Sequence, residues 1–120
     1  MYRKLGRDNK HRRSMLANLT KELIMHEEII TTETRAKEVR KFFDRMITHG
    51  KEGTVEARRR MLAFLQNDKE VVNKVMQELV PRFKDRKGGY SRIVKIAERR
   101  GDNALTVQLK LVKEKEKLSS

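Results

Sequence analysis

The chain has 120 residues, with 30 Lys or Arg against 17 Asp or Glu, for a formal net charge of +13. That length allows one domain, and 37% hydrophobic residues allow a small core under a cationic surface suited to a polyanion. The absence of cysteine excludes a disulfide framework, a thiolate zinc site and a cysteine nucleophile. No stretch approaches the roughly 20 apolar residues of a membrane span.

The charge is concentrated in two places. Residues 1–13 carry six basic groups and one acid, and residues 82–100 carry eight and two. The segment between them is nearly neutral. Two discrete polyanion-contacting segments account for this better than a generally basic surface. The opening Met1-Tyr2-Arg3-Lys4-Leu5 is not followed by the apolar block of a secretory signal, so a soluble, cytoplasmic protein is expected.

Residues 1–13 hold one large apolar residue in their basic run, Leu5, and read as a non-helical arm that orders on nucleic acid. Met15, Leu19 and Leu23, with Leu16 and Ile24 alongside, mark a first helix ending near His26. Asp8, Asn9 and Ser14 are its candidate N-caps. Glu28 to Thr32 is a short β-branched strand. Thr31 or Thr32 caps a second helix with Ala36, Val39, Phe43, Met46 and Ile47 inward, broken by the stretch from His49 to Gly53.

Thr54 caps a third helix, with Val55, Met61, Leu62 and Leu65 on its buried side. Asn67-Asp68 stops it and opens a fourth, with Val71, Val72, Val75, Met76 and Leu79 inward and Pro81 ending or kinking it. Beyond Gly88-Gly89 the period becomes two. Tyr90, Val94 and Ile96 share one parity, and Leu105, Val107, Leu109 and Leu111 alternate across a turn at Gly101-Asp102-Asn103. The order α-β-α-α-α-β-β predicts a two-layer α+β domain over residues 14–112, with a small three-stranded sheet. Residues 113–120 form a charged flexible tail.

Enzymatic signals are weak. His11, His26 and His49 show no metal-ligand spacing, and no Walker A loop, G-x-G-x-x-G motif or nucleophile elbow occurs, while Gly88-Gly89 could cradle a phosphate through backbone amides or simply turn into a strand. The basic segments say more. Arg3, Lys4, Arg7, Lys10, His11, Arg12 and Arg13 are expected to neutralise phosphates. Thr31, Thr32 and Arg35 could offer hydroxyls, amides and a guanidinium at a helix N-terminus. A second anchor runs through Arg86, Lys87, Gly88, Gly89, Tyr90 and Arg92, within a patch that starts at Arg82. Tyr90 could stack on a base or be the first inward residue of its strand. Arg58-Arg59-Arg60 spans most of a helical turn and reads as a solvated face by default, with phosphate contact as the alternative.

The same segments resemble the bacterial large-subunit ribosomal protein seventeen family. The resemblance rests on His11-Arg12-Arg13-Ser14-Met15-Leu16-Ala17-Asn18-Leu19, on His26-Glu27 before Ile30-Thr31-Thr32, and on Ala36-Lys37-Glu38-Val39-Arg40. Pro81-Arg82-Phe83, the stretch from Arg86 through Gly88-Gly89-Tyr90-Ser91-Arg92-Ile93, and Arg100-Gly101-Asp102-Asn103-Ala104 follow in the same order. It covers about residues 3–112 and departs at Met1-Tyr2, where the family usually carries a few more basic residues.

The resemblance implies a two-layer fold and a structural, non-catalytic constituent of the large ribosomal subunit in the cytoplasm. Such a protein contacts large-subunit ribosomal RNA near the peptide exit side, and neighbouring large-subunit ribosomal proteins. No cofactor, metal, membrane or small-molecule substrate is expected. The rival reading is a DNA-binding architectural or regulatory protein, which would need a recognition helix or a dimer surface that the sequence does not display. An RNA nuclease is a distant third, since only Asp85 and Asp102 lie near the basic patch.

Overall fold

In chain order the elements are α1 (Leu5–His26), β1 (Glu28–Thr32), α2 (Glu33–Glu52), α3 (Val55–Phe64), α4 (Lys69–Lys74), β2 (Ser91–Glu98) and β3 (Leu105–Leu111). A computed structural model describes residues 5–98 and 105–113 of the chain. The turn expected at Gly101-Asp102-Asn103 and the tail after Lys113 lie outside the described residues. The fold is α+β, with helices on one face of a three-stranded antiparallel sheet in the order β1-β3-β2.

The largest departure from expectation is at the start. Asp8, Asn9 and Ser14 lie inside α1, and the arm expected to be non-helical is helical from Leu5. A helix can outrun its own apolar face once its later turns are anchored, here by Leu16, Leu23 and Ile24 in the core. It ends where Glu27 takes a left-handed conformation (φ 66°), its N–H donating to the Leu23 carbonyl at 2.7 Å.

The later caps are local and follow the sequence. The Thr32 and Thr54 hydroxyls and the Asp68 carboxylate accept from Arg35 N, Ala57 N and Val71 N, at 3.4, 3.0 and 3.4 Å. Gly53, at φ 68°, closes α2. Gly50 does not break the helix. It is buried within α2, where a Cβ would come 2.6 Å from Val80 Cγ2. On α3 the inward line is Ala57, Met61 and Leu65. Val55 is 68% exposed, because capping by Thr54 puts it one position off that line.

α4 runs directly into a π-helical turn (Val75–Leu79) and a last helical turn (Val80–Arg82). The Val80 N–H reaches back five residues to the Val75 carbonyl, and Pro81, which has no N–H to donate, follows at once. The core gathers Phe43, Phe83, Leu23, Ile24, Ile47, Met61, Leu65, Leu79 and Leu109 from both layers.

On the sheet, Val107, Leu109 and Leu111 of β3 are buried, and the pairings Ser91↔Leu111 and Ile93↔Leu109 fix the inward side of β2. Val94 and Ile96 therefore face away, at 42% and 50% exposed, with Ile30 of β1. Tyr90 precedes the strand and turns inward. The irregularity between Lys95 and Ala97 leaves Ile96 outside the register.

Candidate nucleic-acid interface

Four consecutive side chains on a helix sweep most of its circumference, so Lys10, His11, Arg12 and Arg13, all exposed on α1, point to different neighbours. Arg12 turns to α2 and forms an ion pair with Glu38. Lys10 and Arg13, three apart, line a groove against α3 with Arg60, Phe64 and Gln66. Arg13 also lines the groove against α2, and His11 lies beside Met15, Asn18 and Leu19. Helical continuity thus fixes the directions of cations expected on a loose arm. Arg3 and Lys4 lie outside the described residues, and of Arg7 only the helical backbone is described.

The second segment is divided between structural and exposed roles. Arg82 is committed to the fold, since its two terminal nitrogens donate to the two Glu27 carboxylate oxygens at 2.8 and 2.9 Å. Lys74 adds a contact to the same carboxylate at 3.2 Å. These two cations hold the Glu27 carboxyl at about 2, below its ordinary 4.5, with the Arg82 hydrogen bonds the largest cause and burial opposing them.

The Arg86 side chain folds back onto the Gly89 carbonyl at 3.3 Å. Its own carbonyl accepts from Lys51 Nζ and from the Tyr90 hydroxyl. Gly89 sits at φ 62°, the left-handed region that suits glycine. Lys87, Gly88 and Gly89 are exposed at the apex of this loop.

Tyr90 falls on the inward side of the two expectations. It is 4% exposed, with its ring centre 5.0 Å from that of Phe83 and the Lys51 ammonium 5.0 Å from its own. A ring packed this way has no open face for a base, so Tyr90 shapes the loop from beneath. Arg92 is exposed on the outer face of the sheet, paired across the strands with Lys110.

At the start of α2 the three expected residues do not converge. Thr31 alternates onto the helix-covered side with Ile29 and Val107, Thr32 lies on the outer side and spends its hydroxyl oxygen on the cap, and Arg35 is exposed. Among the described residues, no group of His, Asp and Glu is arranged to hold a metal ion. No helix among them is long and apolar enough to cross a membrane.

Two groups escaped sequence reasoning. Lys51 holds the 86–90 loop from α2, a contact across 35 positions that no local pattern encodes. Lys41 and Arg45 flank Phe42 on α2, and the Arg45 guanidinium carbon lies 5.3 Å from the Phe42 ring centre. Their signal was present, because Lys37, Lys41 and Arg45 repeat at intervals of four along one face.

The family model for Ribosomal protein L17 matches residues 15–112, which include α1 from Met15 onward and every later element. The chain belongs to the ribosomal protein L17 family. Among its L17 relatives, the large ribosomal subunit protein bL17 of Ligilactobacillus salivarius is 53% identical, with 92% of this chain and 98% of the relative covered. The bL17 of Fusobacterium nucleatum is 52% identical over 92% of this chain and 95% of its own length. That of Caldanaerobacter subterraneus is 50% identical over 92% and 98%. The L17 match begins at Met15, so Lys10 to Arg13 lie just before the part that the family model covers.

Proposed function

We propose that this chain is a structural constituent of the large ribosomal subunit, not an enzyme, and that it works in the cytoplasm as part of the ribosome. It binds large-subunit ribosomal RNA near the peptide exit side, holds the local RNA fold together and meets neighbouring large-subunit proteins. The observation that carries this reading is the L17 family match, taken with exposed basic side chains on two separated elements: Lys10, His11 and Arg13 on α1, and Lys87 and Arg92 around the start of β2. Recognition rests on RNA shape and phosphate geometry, which suits cations spread over several directions better than a base-reading helix.

Sedimentation of a cell lysate tests the reading. The chain is expected to comigrate with the large subunit and to stay there at moderate salt. Recovery only in DNA-bound fractions would overturn it. The K87A/R92A variant is expected to bind deproteinised large-subunit RNA less tightly, with a flatter dependence on salt.

A further inference from the structure

We propose that the groove between α1 and α2 is a third RNA-binding site, which clamps backbone phosphates on Arg13, Lys41 and Arg45. This deepens the ribosomal reading above and rests on it. The groove has a volume of about 410 Å³ and is lined by Arg12, Arg13, Lys41 and Arg45, with Glu38 as its acid. Leu16 and Phe42 complete the lining. Glu38 is already neutralised by Arg12. Among the described residues no carboxylate lies within ion-pair distance of Arg13, Lys41 or Arg45. Three cations thus converge on one concave surface with no carboxylate partner among the described residues, an arrangement whose mutual repulsion a bound anion would relieve.

The local geometry selects phosphate. Phe42 of α2 stacks on Phe64 of α3 with ring centres 4.9 Å apart and planes 14° from parallel, which gives Arg45 a fixed platform. A guanidinium placed by a ring instead of a carboxylate keeps its N–H donors for a ligand. Those donors form a planar fork that matches phosphate oxygens. Arg13 lines the neighbouring groove as well, together with Lys10, so the positive surface continues over α1. Continuity of this kind suits a chain of phosphates better than a single phosphate ion.

The test uses the full chain and deproteinised large-subunit RNA, with affinity measured across a series of salt concentrations. Lys41 and Arg45 are exposed, so K41A/R45A is expected to keep the wild-type melting temperature. Its slope of log affinity against log salt should be shallower by about 1.4, at about 0.7 per phosphate contact on single strands. A control of equal charge loss, R59A/K69A, should leave the slope near wild type. An unchanged slope for K41A/R45A, with a reduced one for K87A/R92A, would overturn the groove and leave the ribosomal reading standing. Equal loss in the R59A/K69A control would also overturn it, since net charge alone would then explain the effect. Wild-type binding with no salt dependence would sink both.

Discussion

Glu27 and Arg82, 55 positions apart in sequence, meet in a two-pronged ion pair at 2.8 and 2.9 Å. The pair ties the corner between α1 and β1 to the last helical turn before the hairpin. It also explains why a non-glycine residue holds φ 66° at that corner, since the strained backbone is kept in place by contacts its side chain makes elsewhere. Replacing Glu27 by Gln should cost about 1.5–3 kcal/mol at neutral pH, the range for hydrogen bonds to charged groups. Urea denaturation measures this.

The same pair sets a pH dependence of definite sign. The folded carboxyl is held at about 2 against an ordinary 4.5, so its contribution is complete above pH 4.5 and fades as pH falls toward 2. The stability gap between wild type and E27Q should therefore narrow through that window and close near its lower end. A gap that stayed constant from pH 6 to pH 2.5 would show that the carboxylate's charge contributes nothing.

Gly50 is a point of close approach, which reverses the usual rule for helices. In an exposed helix, Gly→Ala stabilises by about 1 kcal/mol. Here the added methyl meets Val80 Cγ2 at 2.6 Å, and a β-branched side chain has little freedom to retreat. G50A is expected to lose about 1–3 kcal/mol, and V80A in the same chain should recover part of that loss. A double-mutant cycle by thermal denaturation isolates the coupling.

Gly89 and Gly88 are neighbours with different requirements. Neither has an atom within 4 Å of an added Cβ, but only Gly89 holds a positive φ. G89A should lower stability by about 1 kcal/mol through backbone strain alone, whereas G88A should leave the melting temperature close to wild type.

Asp44 carries the opposite sign to Glu27. Burial raises its carboxyl above the usual range, against a smaller opposing pull from Arg40. Its Oδ1 is buried without a hydrogen-bond partner among the described residues. The folded chain then holds that proton more tightly than the unfolded one, so ionised Asp44 weakens the fold above the ordinary carboxylate range. D44N should stabilise at pH 7 and lose its advantage as pH falls through that range, as followed by parallel melts.

What the sequence made legible was what is local. Thr32, Thr54 and Asp68 announce their helices because a cap needs only the next three residues. The alternation from Leu105 to Leu111 names its own inward side. Val94 and Ile96 could not be placed that way, because β2 takes its inward side from register with a strand that follows it. The helical course of residues 5–13 was hidden by their charge, since the anchoring residues lie turns later. At the interface, the spacing of Lys41 and Arg45 was readable, but the Phe42–Phe64 stack that gives Arg45 a platform joins two helices and has no sequence signature. Tyr90 could be read two ways until Phe83 and Lys51 were seen to cover its ring.

The central position of β3 imposes a timetable on synthesis. Glu28 pairs with Lys110 and Ser91 with Leu111, so neither earlier strand has a sheet neighbour until residues 105–111 have been made. Helices α1, α2 and α3 can associate while the chain is still growing, because their contacts span short loops. The groove between α1 and α2 can therefore form before the sheet closes. Until then the inner edges of β1 and β2, which β3 later covers, stay unpaired, and this is the period in which the growing chain is most open to pairing with others of its kind.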